Sequence, residues 1–165
     1  MNLTSVFLLT NSVYLLAFVI GFVAGLRAMT APALVSWGAH LGWLDLRNSP
    51  LAFMGSKFAV AILSLAAIGE YVNDKLPKTP SRTSAVPLTA RIILGGFSGA
   101  CLCAAAAESL LSGAVMGAIG AVAGSFGGYY ARTGLVRALK VKDIVIAIPE
   151  DLVAIILAYL AVSAR

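Results

Sequence analysis

The sequence has few charged residues: they make up 12% of its 165 positions, against roughly 25% in a soluble domain. Hydrophobic residues make up 60%, which leaves too little polar surface for a water-soluble helical domain and indicates a membrane protein. Histidine is represented by His40 alone, and no zinc-ligand spacing, nucleophile–base pair or phosphate-binding loop is present. We therefore do not expect an enzyme, and we predict no catalytic residue, cofactor or metal.

Cysteine is limited to Cys101 and Cys103, which lie two residues apart in a predicted helix and so point to different faces. Neither a disulfide between them nor a metal pair is expected. No lysine or arginine precedes the first apolar run, so we interpret that run as a retained helix and not as a signal peptide. The net charge of +5 comes without basic patches interleaved with aromatic residues, which indicates anionic lipid and not nucleic acid as a partner.

Glycine, in contrast, is abundant in the apolar stretch 111–132. In water each glycine costs a helix about 1 kcal/mol relative to alanine, whereas in a bilayer the backbone has no water to bond and the helix persists. Glycines spaced four residues apart let another helix approach closely. We therefore predict a central membrane helix here, and we assign helix packing on this and other helices to Gly21, Gly25, Gly95, Gly99, Gly120 and Gly124.

An internal repeat is suggested by two matches in one register. Residues 119–124 (IGAVAG) nearly copy residues 20–25 (IGFVAG), and the same spacing separates Pro149 from Pro50. We predict a single domain, 1–165, with repeat halves at about 3–72 and 111–163 that are joined by a basic loop and a third helix.

The predicted fold is an all-α membrane protein with five transmembrane helices, since a helix needs about 20 apolar residues to cross a bilayer. Two short helices, 30–43 and 132–143, are expected to be interfacial or re-entrant. The five predicted crossings are 3–26, 51–72, 89–112, 111–132 and a last one that starts within 144–149 and ends near 162.

Basic residues predict the orientation. They gather in 75–91 and 132–142, so both segments are expected in the cytoplasm, where they would meet anionic lipid headgroups. The N-terminus is then cytoplasmic and the C-terminus outside. The first and fourth crossings are predicted to be antiparallel, which would make the repeat an inverted one.

Several motifs resemble a family of small bacterial membrane proteins known only as a domain of unknown function. They are GLRA at 25–28, DKLP at 74–77, SRT at 81–83, the Ala90-Arg91 pair before Gly95-Gly96, and the Glu150-Asp151 pair. The resemblance covers most of the chain. It implies a multi-pass protein of the bacterial inner membrane and no settled activity.

Charged residues near the predicted crossings are the candidates for transport or gating, because a lone charge at membrane depth costs several kcal/mol and usually has a partner. Arg27, Lys57 and Glu108 are predicted to share the outer side, with Arg27 within salt-bridge reach of Glu108. This group would be either a structural feature, as an ion-paired clamp or as side chains that snorkel to the interface, or a functional one, as a gate or an anion-facing site. The candidate charges are Arg27, Lys57, Glu108, Glu150 and Asp151.

The pair Glu150 and Asp151 allows two interpretations. If the last helix starts after Pro149, the pair occupies its first turn and meets the positive end of the helix dipole. If the helix starts near Ile144, the pair lies within the membrane and suits proton or cation binding. Glu70 and Asp74, one helical turn apart, are expected on a solvated interfacial face, and the alternative is that they pair with Lys75, Lys78 or Arg91.

Two functions remain open. The first is a small transporter or channel for an ion or small solute, for which an inverted repeat with broken helices is typical. A homodimer is plausible in that case, since five helices make a thin wall for a pathway. The alternative is a non-transporting scaffold, assembly factor or lipid-binding module. Charges around a wet cavity would favour transport, and the same charges paired at dry interfaces would favour the alternative.

Overall fold

The computed structural model describes residues 3–74 and 82–164, with side chains in the first helix from Ser12 onward. The described residues are helical and include no strand. Lys75 and Lys78, which belong to the predicted basic loop, lie outside the described part. The α-helices are α1 (Leu3–Leu26), α2 (Thr30–His40), α3 (Lys57–Asn73), α4 (Ala85–Ala105), α5 (Leu110–Leu139) and α6 (Asp143–Ser163), and a short 3₁₀ helix covers Ala52–Gly55.

Glycine contacts join α1, α4 and α5 into a closely packed core. A side chain at Gly120 would collide with the carbonyl oxygen of Phe18 in α1, and one at Gly99 in α4 would collide with that of Gly113 in α5. Gly95 similarly lies against Ala121. Backbones approach this closely only where both helices present small residues. We call α1, α4 and α5 the glycine core.

The first and fourth predicted crossings, now α1 and α5, run parallel. Gly21 lies against Gly117, and Gly25, one turn later, lies against Ala121 and Gly124. Residue numbers therefore increase in the same direction along the two helices. The predicted inverted repeat is therefore wrong. The shared IGxVAG hexapeptides reflect a common need for small residues at one interface, since the two segments pack on each other.

The proline register does not support a repeat either. Pro149 lies inside α6, whereas Pro50 lies in the turn before the 3₁₀ helix. The predicted short helix 132–143 is also not a separate element: α5 continues unbroken to Leu139 and ends at Lys140, which adopts a left-handed backbone conformation with φ of 53°. A basic, amphipathic composition was mistaken for a helix boundary.

The short helix α2 turns the chain back along the bundle. Its first residue, Thr30, bonds to the hydroxyl of Tyr71 near the end of α3, and Gly38 lies against Val162 at the end of α6. We call the end of the bundle that holds Arg27 and Asp74 the charged end, and the opposite end the distal end. Because of α2, α1 and α3 both finish at the charged end.

The start of α1 and the end of α6 lie on the same side of the bundle. α1 runs toward the charged end and α6 runs away from it, so α1 starts and α6 finishes at the distal end. The predicted direction of the first helix, away from the side where Arg82, Arg91 and Arg132 lie, is wrong. The prediction counted only long apolar segments and missed the reversal that α2 provides.

Among the residues whose side chains are described, three helices, α4, α5 and α6, are long and apolar enough to cross a membrane, and the part of α1 over Ser12–Leu26 is a shorter apolar helix. Their outward faces carry large exposed apolar side chains such as Leu111, Ile148 and Leu160. Exposed apolar surface of this extent is typical of contact with lipid. The fold is thus that of an all-helical membrane protein.

A buried cluster of charges as the candidate functional site

Charged side chains from five helices and their flanking residues meet at the charged end. The arginines lie in the helices of the glycine core or just outside their ends. The carboxylates lie in α3, in α6 and at the residue that follows α3. We call this group the charge cluster. Its members are Arg27, Arg82, Arg91, Arg132, Glu70, Asp74, Asp143, Glu150 and Asp151.

Arg27 lies at the centre of the charge cluster and is fully buried. Its Nε donates to Oδ1 of Asp151 at 2.6 Å, its Nη2 lies 2.5 Å from the same oxygen, and its Nη1 pairs with Asp74. The guanidinium also stacks over the ring of Tyr71, with Cζ 5.5 Å from the ring centroid. Arg27 thus joins the end of α1 to both α3 and α6.

Glu150 and Asp74 are each shared by two arginines. Arg82 forms a bidentate pair with Glu150, with nitrogen–oxygen distances of 2.5 and 3.0 Å. Nη1 of Arg132 lies 3.4 Å from Glu150 Oε2 and 3.4 Å from Asp74 Oδ2, while its Nε donates to Asp143 at 2.8 Å. Bidentate geometry suits buried arginine–carboxylate pairs, which must compensate for the loss of hydration.

The break between α1 and α2 is held by two members of the charge cluster. The carboxylate of Glu70 accepts hydrogen bonds from the backbone N–H groups of Ala28 and Met29, both at 2.8 Å. Nη1 of Arg91 donates to the carbonyl oxygen of Gly25 at 2.9 Å. Backbone groups left unpaired where one helix ends and the next begins are thereby satisfied inside the protein.

Part of the charge cluster lies inside the apolar helices α4 and α6. Arg91 and Asp151 stand roughly 9 and 12 Å along the axes of α4 and α6 from the start of each helix, at 1.5 Å per residue. α6 starts at Asp143, as the second interpretation of the acidic pair required, so Glu150 and Asp151 lie about two turns inside an apolar helix and not in its first turn.

The structure brings Arg27, Glu150 and Asp151 together and places Lys57 and Glu108 elsewhere. The predicted pair of Arg27 and Glu108 is wrong: Oε2 of Glu108 accepts from the hydroxyl of Tyr14 at 3.2 Å, and Tyr14 lies roughly 20 Å along α1 from Arg27. The error follows from the reversed direction of α1. Lys57 is the first residue of α3 and is exposed near Trp37 and His40 at the distal end.

Glu70 and Asp74 are also not the solvated face that their one-turn spacing suggested, because both are partly buried against arginines. Sequence reasoning missed Arg82 and Arg132 as members of the site and used them only as markers of orientation. Arg91 was one of the three candidate partners of Glu70 and Asp74, and it does pair with Glu70, at 3.5 Å. The sequence signal for Arg91 is that it interrupts an apolar helix, and a charge in that position usually has a partner.

The arrangement is suited to ion pairing. Among the described residues, no group of three or more histidine, cysteine, aspartate or glutamate side chains is placed to hold a metal ion. Outside the bundle, the exposed Asp45 pairs with Arg47 at 3.1 Å, and the hydrogen bond from Arg47 lowers the pKa of Asp45 below its ordinary value. This exposed pair is a natural reference for the buried ones.

The fold and its charge cluster define a class, the all-helical membrane proteins with buried ion pairs. A family model described as a domain of unknown function, DUF4126, matches residues 14–164, and the chain belongs to this family. The resemblance drawn from the sequence motifs is thereby confirmed. Comparison with curated proteins and with solved structures gave no match.

Proposed function

We propose that the protein is a small integral membrane carrier for an ion or small solute, with the charge cluster as its coupling site. The observation that carries this proposal is the position of Arg91, Glu150 and Asp151 inside α4 and α6, because ionisable groups inside apolar helices are costly and commonly mark ion pathways or proton relays. Since Asp74 and Glu150 each meet two arginines, a proton or cation bound to either carboxylate would change two ion pairs at once.

The backbone break at residues 27–29 supports the same proposal. Non-helical backbone at membrane depth is tolerated where it is buried in protein or lines an aqueous cavity, and discontinuous helices form the binding sites of many carriers. Here Glu70 and Arg91 hold the break directly beside Arg27. A change in the charge of Glu70 would therefore act on the backbone as well as on the ion pair.

The proposed topology follows from the direction of each helix. We infer that α3, α4, α5 and α6 cross the membrane and that α1 and α2 form a re-entrant hairpin that turns at the charge cluster. The segments 75–82 and 137–142 carry the excess of lysine and arginine, so the charged end is proposed to face the cytoplasm and both termini to lie outside. A bacterial inner membrane is the proposed location.

A non-transporting scaffold or lipid-binding module is the second candidate function. It is favoured by the pairing itself, since each arginine of the charge cluster already meets a carboxylate within the described residues. It is also favoured by the parallel α1 and α5, which remove the inverted repeat that pointed to transport. A static, fully paired cluster would then serve to fix helix positions.

Flux measurements in proteoliposomes distinguish the two candidates. We expect purified protein to conduct protons, cations or anions down an imposed gradient, and Asp151→Asn to abolish this flux while the exposed control Asp45→Asn retains it. Both variants should be tested for intact folding by gel filtration in detergent before reconstitution. Absence of flux for every ion class in the unmodified protein would reject the carrier and favour the scaffold.

A further inference from the structure

A groove of about 470 Å³ lies between α2 and α3 at the distal end, away from the charge cluster. Trp37 and His40 of α2 form one wall, and Nε1 of Trp37 crosses to Oγ of Ser64 at 3.0 Å. His40 is held by a 2.9 Å hydrogen bond between Nδ1 and the carbonyl oxygen of Gly55. The groove is lined by Trp37, His40, Lys57, Val60, Ala61, Ser64 and Leu65.

Lys57 gives this groove an uncompensated positive charge. It is the first residue of α3, and within the described part of the chain it forms no ion pair and no carboxylate lines the groove. The N-terminal end of α3 adds its own partial positive charge at the same place. The rim of the groove is thus suited to an anion.

Below Lys57 the groove is apolar. Val60, Ala61 and Leu65 follow Lys57 along α3, and Leu65 lies roughly 12 Å from Lys57 along the helix axis. Leu65 and the nearby Phe58 are largely exposed. A cation at the rim with an apolar wall beneath it matches an amphiphile whose head is anionic and whose tail is hydrocarbon. A free phosphate ion would use the rim and leave the wall unoccupied.

A second apolar groove, between α5 and α6, makes the contrast. It is lined in part by Leu135, Ile146 and Arg132, but the charge of Arg132 is already balanced by Asp143, with Glu150 close by. Of these two grooves, only the one at Lys57 has a positive charge that is not already paired with a carboxylate among the described residues.

We propose that the groove between α2 and α3 binds one anionic phospholipid, with the phosphate on Lys57 and an acyl chain along Val60, Ala61 and Leu65. This site lies at the opposite end of the molecule from the basic segments that the sequence linked to anionic lipid. The proposal requires the chain to be in a bilayer, and it does not depend on transport.

The two tryptophans of the chain provide the test, because Trp37 lines the groove and Trp43 packs edge-on against Tyr159 of α6. The full-length Trp43→Phe variant, with Trp37 as sole reporter, is reconstituted in phosphatidylcholine vesicles that contain a minor fraction of brominated phosphatidylglycerol or brominated phosphatidylcholine. We expect the anionic lipid to quench Trp37 with about fivefold higher effectiveness, the preference that one lysine near anionic lipid provides. Lys57→Gln should make the two lipids equal, and Lys140→Gln, at the other end, should leave the preference intact.

Three outcomes would overturn the proposal. They are equal quenching by both lipids in the parent protein, a preference that survives Lys57→Gln, and a preference that Lys140→Gln removes equally, which would indicate general surface electrostatics. If neither brominated lipid quenches Trp37, the proposal also fails, and a second protein chain is then the expected occupant of the groove. If Trp43→Phe does not fold, the difference between the unmodified protein and Trp37→Phe isolates the same signal.

Discussion

Arg91 of α4 donates a 2.9 Å hydrogen bond to the carbonyl oxygen of Gly25, in the last turn of α1, and its Nη2 lies 3.5 Å from Glu70 of α3. One side chain therefore holds the end of one helix and faces the carboxylate that bonds to the start of the next. The turn between α1 and α2 depends on this bridge, because Glu70 bonds to the N–H groups of Ala28 and Met29.

Removal of the central arginine should be strongly destabilising. Arg27→Ala leaves Asp74 and Asp151 partly buried without their principal cation, and breaking a buried pair in this way costs about 3–5 kcal/mol. Arg47→Ala removes only an exposed pair with Asp45 and should leave stability unchanged. Thermal unfolding in detergent, followed by circular dichroism, measures both, and equal midpoints would contradict the central role of Arg27.

Glycines of α5 should differ sharply according to their contacts. Gly120→Ala drives a methyl group into the backbone of Phe18 and should cost roughly 1–3 kcal/mol through overpacking. Gly134→Ala, on the same helix with open space around it, should be neutral or stabilising by up to about 1 kcal/mol. The same unfolding assay compares the two variants; similar losses would mean that helix propensity and not packing controls this helix.

Gly113 illustrates where the sequence was insufficient. From the sequence alone, its position near one end of the apolar stretch 111–132 predicts that substitution there matters less than at Gly120 or Gly124. In the structure it lies against the carbonyl of Gly99 and the side chain of Cys103, so it is as confined as the others. Which glycines of α5 tolerate a larger side chain depends on which face of the helix meets α4. Glycine spacing alone does not define that face.

The ion pair between Arg82 and Glu150 should tolerate reversal. Arg82→Glu or Glu150→Arg alone places like charges together and should reduce stability, whereas the double exchange restores attraction between the two elements. We expect an interaction free energy within roughly 0.5–3 kcal/mol from the double-mutant cycle, the range found for residues in one network. If the free-energy changes of the two single variants simply add in the double variant, Glu150 is stabilised chiefly by Arg132, which also approaches it.

The direction of α1 predicts the membrane topology. Reporter fusions at the two termini should give the same compartment, and a reporter inserted in the 75–81 loop should give the opposite one. The reason is that α1 starts and α6 finishes at the distal end, whereas Asp74 and Arg82 lie at the charged end. Termini found in different compartments would refute this arrangement of helices.

The sequence was informative about helices and less so about their directions. Apolar runs and glycine spacing predicted the helical class and the short helix at Thr30, and short motifs such as GLRA and DKLP indicated the family, because all of these depend on local sequence. The direction of α1 depended on whether α2 crosses back, which its 11 residues do not reveal. The charge cluster was predicted in fragments, since Arg27, Glu70 and Asp151 meet only when the directions of three helices are known.

The separation of charges between elements has a consequence for biosynthesis. The arginines of the charge cluster are synthesised with α1, α4 and α5 or beside them, while Asp143, Glu150 and Asp151 arrive with α6, the last of the described helices. Until α6 leaves the ribosome, Arg82 lacks the carboxylate that it pairs with in the finished protein, and Arg27 and Arg132 lack part of their counter-charge. A nascent chain halted before α6 therefore carries excess positive charge at the charged end, and docking of α6 supplies the carboxylates that balance it.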